Sequence, residues 1–121
     1  MERSAIIEWL LAGDPAIRWQ ALRDLRGAAE STVRREQARV AREGWGARLL
    51  ALQDANGRWG RGIYTPKWIS TTYTLLLLRS LGVARGNPQA LRGAELLLQA
   101  GRCDDGGINF WRKSQAFSET V

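Results

Sequence analysis

The chain has 121 residues, the length of one modest domain, and 45% of them are hydrophobic while 25% are charged. This balance is typical of a folded globular chain. Histidine is absent and Cys103 is the single cysteine, which excludes Ser-His and Cys-His nucleophile pairs, a disulfide within the chain and nearly every zinc site. We therefore expect neither catalytic residues, a metal site nor a cofactor in this chain.

The net charge of +6 comes from 18 basic and 12 acidic residues, and all the basic residues except Lys67 and Lys113 are arginine. Arginine pairs well with phosphate, but many of these arginines have an acidic neighbour, as Arg23 has in Asp24. Solvated ion pairs in a bacterial-style, arginine-rich chain are therefore favoured over nucleic-acid binding. The longest aliphatic run, Leu75–Leu78, is too short to span a membrane, and no signal peptide is recognisable. We expect a cytoplasmic protein.

Two short helices are predicted at the start of the chain. The first spans Ser4–Ala12, where apolar residues follow a helical period, and Gly13 ends it. Asp14 and Pro15 provide an N-cap and a first-turn proline for the second helix, which Gly27 terminates. The predicted buried side of this second helix consists of Ile17, Ala21, Leu22 and Leu25.

Further helices are predicted in the rest of the chain. A polar helix covers Thr32–Glu43 and a helical pattern resumes over Ala47–Gln53, so that one kinked helix and two separate helices are both possible. The segment Ser70–Leu81 is apolar on almost every face, which predicts an inner helix that is buried all round. A buried strand over Thr71–Leu78 is the alternative. An amphipathic outer helix begins at Asn87-Pro88 and ends near Ala100.

An internal repeat follows two of these helices. Gln53 is followed by Gly57 and Trp59, and Gln99, 46 residues after Gln53, is followed by a second glycine-rich turn. That second turn contains Asp105, Gly106 and Gly107. A period in this range indicates an array of helical hairpins that bury their faces against one another.

The repeat resembles a known motif. Gln53-x-x-x-Gly57-x-Trp59 is similar to the QW repeat of squalene–hopene cyclases and related terpenoid cyclases, and residues 105–111 resemble a degenerate second copy. The segment Pro66–Arg79 resembles the inner helices of the α/α toroid of prenyltransferases and squalene cyclases.

The resemblance covers residues 44–121 and implies an all-α fold made of antiparallel helical hairpins in two layers, a partial α/α toroid. Residues 31–121 would form two toroid-type repeats and a truncated third, in a single helical domain or fragment that spans 1–121. Residues 13–25 resemble a HEAT-type repeat, so that a HEAT-like hairpin over residues 1–30 precedes the toroid. The chain would be the N-terminal portion of a longer protein.

The same resemblance implies a ligand and the residues that meet it. Trp68, Tyr73 and Trp111 lie where inner helices begin and would face a cavity for an isoprenoid or another apolar molecule, with Lys67 beside them for a diphosphate. Plain core aromatics are the alternative interpretation of these rings. The Asp-x-Asp-Asp acid of the cyclases is absent, since Asp104-Asp105 occupies a turn. The chain alone is thus predicted to bind rather than to catalyse.

A different class of function is also compatible with the sequence. Helical hairpins without a catalytic motif are typical of scaffolds for protein–protein interaction. Two hairpins cover Leu75–Leu78 incompletely, which predicts a homo-oligomer formed through the inner helices.

Overall fold

A computed structural model describes residues 2–110, and this part of the chain is all-α, with isolated β-bridges and no strand. The helices are α1 (Arg3–Leu11), α2 (Pro15–Asp24), α3 (Glu30–Ala38), a 3-10 helix (Arg39–Ala41), α4 (Gly44–Ala51), α5 (Thr71–Leu81) and α6 (Pro88–Gly101). The predicted all-α class is confirmed, and the strand alternative for the leucine-rich segment is wrong. Trp111 and the truncated third repeat lie outside the described residues.

The stretch whose continuity the sequence left open forms two α-helices. Helix α3 tightens into the 3-10 turn, and Gly44, with φ of +68°, begins α4. A side chain is rarely tolerated at such a φ. At Gly44 a Cβ would also overlap the carboxylate of Asp14. The glycine therefore permits α4 to start against the N-terminus of α2.

Residue contacts divide the chain into two compact units. Unit 1 comprises Met1–Ala51 with Leu78–Ala84, and unit 2 comprises Leu52–Leu77 with the described residues from Arg85 onward. The division after Ala51 falls inside the segment that the resemblance assigns to toroid-type repeats.

Unit 1 is built around α2, which contacts α1, α3 and α4. Its core contains Ala16, Trp19, Val33 and Val40. The indole N–H of Trp19 donates a 2.9 Å hydrogen bond to the carbonyl of Leu81. A Cβ on Gly82 would lie 2.5 Å from the indole nitrogen, and φ there is +100°. Glycine at this position therefore allows the backbone to lie directly on the ring of Trp19.

The predicted buried side of α2 is wrong at one position. Leu25 is 43% exposed, whereas Trp19 is buried. The last residue of the helix is Asp24, and Leu25 is its C-cap residue, whose N–H still donates to the carbonyl of Ala21 at 2.9 Å. Burial of Trp19 follows from contacts with α3 and with the segment around Leu81, which are distant in sequence.

Unit 2 contains the beginning of α5, all of α6 and the loops that follow α4 and α6. The prediction that α5 is buried all round is wrong in this chain. Thr71 and Thr74 are buried, but Leu76 is 52% exposed and Leu77 is 49% exposed. The described residues therefore cover one side of this helix and leave two leucines facing outward.

Candidate functional site

The loop before α5 is folded back onto the first turn of that helix. The backbone N–H of Thr71 donates to the carbonyl of Gly62 at 3.0 Å, and that of Thr72 donates to the carbonyl of Ile63 at 2.9 Å. Both threonine hydroxyls donate to the same two carbonyls, at 2.8 and 2.7 Å. The backbone N–H groups at the start of a helix have no partner within the helix. Here two of them bind the loop. Tyr64, the next residue along the loop, is brought beside α5.

Four aromatic rings then form a continuous group in unit 2, which we call the aromatic cluster: Tyr64, Trp68, Tyr73 and Phe110. The ring of Tyr73 lies 5.2 Å from Trp68 and 5.5 Å from Tyr64, in tilted arrangements, measured between ring centroids. Phe110 stacks on Tyr64 at 6.0 Å. These spacings are those of attractive aromatic pairs. The cluster therefore offers one connected aromatic surface.

Trp68 is the exposed member of the cluster. The residue is 73% exposed, and its backbone has φ of +75°. A bulky residue in the left-handed region is strained, and such strain is concentrated at functional sites. The ammonium group of Lys67 lies 5.2 Å from the centroid of the Trp68 ring, in a cation–π contact. A large apolar surface and a cation are thus presented together.

The tyrosines of the cluster are joined by a hydrogen bond. The hydroxyl of Tyr73 donates to that of Tyr64 at 3.2 Å. This bond, followed by desolvation and by the charge of Tyr64, raises the pKa of Tyr73 above its ordinary value. The phenol of Tyr73 therefore stays neutral at physiological pH, and Lys67 supplies a positive charge beside the cluster.

The QW-like motif lies in unit 2 and has a packing role. The side-chain amide of Gln53 donates to the carbonyls of Gly57 and Gln89, both at 2.9 Å. Trp59 is 1% exposed, and a Cβ on Gly93 of α6 would lie 2.8 Å from its ring. Gln53 thus ties its own turn to the start of α6, and Trp59 packs against the same helix. Neither side chain belongs to the aromatic cluster.

The two glycine-rich turns have the same hydrogen-bond pattern. In each, a backbone N–H donates to the carbonyl four residues later at 2.8 Å, and a glycine N–H donates back to the first residue at 2.8 or 2.9 Å. A side-chain oxygen accepts from the residue after that glycine in both turns. Gly57 and Gly106 have φ of +92° and +87°. The equivalent pairs are Asp54 and Cys103, Asn56 and Asp105, Gly57 and Gly106, and Arg58 and Gly107.

The offset between these turns is 49 residues (from 57 to 106), which differs from the 46 residues between the two glutamines. The turn geometry therefore makes Arg102 the counterpart of Gln53, and Ile108 the counterpart of Trp59. Gln99 lies one turn earlier, inside α6. The second copy keeps the turn but has neither the glutamine nor the tryptophan at the matching positions.

The polar groups beside the second turn serve that turn. The Asp105 carboxylate accepts a 2.9 Å hydrogen bond from the N–H of Gly107. Cys103 is buried, and desolvation, with the nearby charges of Asp105 and Asp104, raises the pKa of its thiol. Across residues 2–110 no group of three or more acidic, cysteine or histidine side chains is arranged to hold a metal ion.

The structure brings together three of the four predicted ligand-binding residues, Lys67, Trp68 and Tyr73. The fourth, Trp111, lies outside the described residues. Two cluster members, Tyr64 and Phe110, were missed. Both are loop aromatics near glycine-rich turns, which was the available signal, but their proximity to Tyr73 depends on how the loops fold.

Comparison of the chain with models of known families, with curated proteins and with solved structures finds no match. Within the part of the chain that the structure describes, no helix is both long enough and apolar enough to cross a membrane.

Proposed function

We propose that unit 2 binds an apolar chain of the isoprenoid type on the aromatic cluster, as part of a toroid-like binding protein, and that this chain alone is not catalytic. The convergence of Lys67, Trp68 and Tyr73, together with two further rings, on one connected surface supports this function. A tryptophan with a strained backbone and an exposed ring lowers the stability of the fold. A ligand that covers the ring would explain why the residue is present.

The charge of the surrounding loop favours a ligand with an anionic head group. Residues 55–77 contain Arg58, Arg61 and Lys67 and no acidic residue. Arg61 and Lys67 are exposed, so both are accessible to solvent. A phosphate or diphosphate at the end of an apolar chain would therefore be attracted to this loop.

The test is a pair of titrations of the purified chain, followed by tryptophan fluorescence, with farnesyl diphosphate and with farnesol. We expect the diphosphate to bind more tightly than the alcohol. Trp68→Ala should weaken the binding of both ligands at least tenfold. Trp45→Ala is the matched control, because Trp45 is also exposed but belongs to unit 1, and it should leave both affinities unchanged.

Two results would contradict the proposal. Equal loss of affinity in both tryptophan variants would show that the ligand adsorbs to any exposed indole. Saturable binding that Trp68→Ala does not weaken would place the ligand elsewhere.

A second candidate function is a helical scaffold that associates through its apolar helix faces. The observation that favours it is the exposure of leucines on both helices of unit 2. These are Leu76 and Leu77 on α5, and Leu91 and Leu98 on α6, each 49–52% exposed. Helical-repeat units bury such faces against a neighbouring hairpin, supplied by the same chain or by another copy. Association through these leucines is compatible with ligand binding by the aromatic cluster.

A further inference from the structure

Unit 1 has a cavity of its own, unrelated to the aromatic cluster. It has a volume of about 370 Å³ and is lined by Trp9, Leu10, Ala12, Gly13, Asp14, Ile17 and Trp45. Trp9 is 70% exposed and Trp45 is 50% exposed. Small-molecule sites in proteins are concavities of this size, mostly apolar with a few polar groups. The core cluster of unit 1 contains one indole ring, that of Trp19, whereas two indole rings line this cavity.

Asp14 holds this cavity in shape. One carboxylate oxygen accepts from the N–H of Ala16 at 2.9 Å, and the other accepts from the N–H of Trp45 at 2.9 Å. The same side chain therefore caps α2 and fixes the first turn of α4. The absence of a side chain at Gly44 is required for this approach. Trp45 is thus set at the cavity by a bond to a cavity residue.

The charge of the cavity is opposite to the charge of the chain. Asp14 is the only charged residue among those that line it, although the whole sequence has a net charge of +6. Two amide hydrogen bonds orient the carboxylate. Indole faces are also negative through their quadrupole. The carboxylate and the two indole faces therefore favour a cation.

We infer that this cavity binds an organic cation of the alkylammonium type, with a quaternary ammonium group as the best fit. Tryptophan is the preferred aromatic partner of such cations, and the attraction grows when the cation is desolvated. The walls formed by Leu10 and Ile17 suit methyl groups but cannot replace the hydration shell of a small metal ion. A water occupies about 30 Å³, so the cavity is large enough for a choline-sized group.

The test is fluorine NMR of the chain labelled with 5-fluorotryptophan. The sequence contains six tryptophans. Trp9→Phe and Trp45→Phe assign the two cavity resonances, and Trp19→Phe assigns the resonance of the core. The probe is choline, and the matched control ligand is 3,3-dimethyl-1-butanol, which has the same shape without the charge. We expect choline to shift the Trp9 and Trp45 resonances saturably while the Trp19 resonance, from the core, stays in place.

The neutral isostere should bind at least tenfold more weakly than choline, and Trp9→Ala should weaken choline binding at least tenfold. An unmoved Trp19 resonance in that variant shows that unit 1 is still folded. Equal binding of choline and its neutral isostere would overturn the inference, because the site would then be merely apolar. Shifts of all six resonances together, or of none, would overturn it as well.

A choline group can belong to a free solute or to a lipid head group, and one further arm separates these sources. The chain is mixed with vesicles of phosphatidylcholine or of phosphatidylglycerol and sedimented. Association with phosphatidylcholine alone, lost in Trp9→Ala, assigns the site to the lipid head group. Choline binding without vesicle association assigns it to a free solute.

Discussion

Trp68 combines a left-handed backbone with an exposed indole, and the two properties can be separated by substitution. Trp68→Ala and Trp68→Gly remove the same ring, but only glycine adopts φ of +75° without strain. We expect Trp68→Gly to be more stable than Trp68→Ala by about 1 kcal/mol, measured by urea unfolding. Both variants should lose ligand binding alike. An alanine variant that equals or exceeds the glycine variant in stability would show that the backbone is not held in this conformation.

The bond between the two phenols gives a pH signature. The raised pKa of Tyr73 has the hydrogen bond to Tyr64 as its largest cause, and the chain contains only these two tyrosines. In Tyr64→Phe the remaining phenol is Tyr73. Its phenolate absorbance should then titrate at a lower pH than Tyr73 does in the parent chain, because the partner that stabilised the protonated form is gone.

The same shift predicts the direction of a stability change. A phenol whose pKa is raised in the folded state ionises first in the unfolded chain. The ordinary pKa of tyrosine, which applies there, is 10.0. Its contribution to stability is therefore complete below that pH and is lost as the pH rises above it. The loss should be smaller in Tyr64→Phe. An identical alkaline loss of stability in both proteins would contradict the role of the hydrogen bond.

At the scale of elements, Asp14 joins two helices through one side chain. Asp14→Ala removes the cap of α2 and the bond to the first turn of α4. We expect the free energy of unfolding to fall by about 1–2 kcal/mol. The matched control is Asp24→Ala on the same helix, because Asp24 is exposed and accepts its hydrogen bonds from the guanidinium of its neighbour Arg23. That variant should change stability by less than about 0.5 kcal/mol. Equal small effects in urea unfolding would contradict the shared cap.

The helices whose starts the sequence predicted best are those with local signals. Asp14-Pro15 and Asn87-Pro88 cap α2 and α6 as expected, since the bonds that matter lie within three residues. The burial of Trp19, by contrast, depends on α3 and on the segment around Leu81. The position of Tyr64 depends on carbonyls of its loop meeting the start of α5. Contacts between segments distant in sequence decide these features, and no local pattern encodes them.

At the scale of the whole molecule, the uncovered leucines of α5 predict self-association. We expect light scattering to give a mass above that of one 13.5 kDa chain. Leu77→Glu should shift the mass toward the monomer, because a charge at the interface is costly to bury. Leu52→Glu is the matched control, since Leu52 is 68% exposed but lies outside α5. A monomer at high concentration for the parent chain would contradict this prediction.

The register of the internal repeat differs from the one that the residue pattern indicated. Similar letters align Gln53 with Gln99, but the turn geometry aligns Gln53 with Arg102. A glycine with positive φ fixes the turn more strictly than the glutamine does, because few other residues adopt that conformation. Turn glycines are therefore the more reliable register marks for such hairpins.

The most direct test of the central claim is to map where an isoprenoid-type ligand lies. A farnesyl diphosphate analogue with a benzophenone at its apolar end is irradiated with the chain, and the labelled tryptic peptides are identified by mass spectrometry. We expect labelling in residues 62–67 and 68–79, which carry Tyr64, Trp68 and Tyr73, and suppression of this labelling by excess farnesyl diphosphate. Labelling confined to peptides of residues 1–51, or spread evenly along the chain, would contradict it.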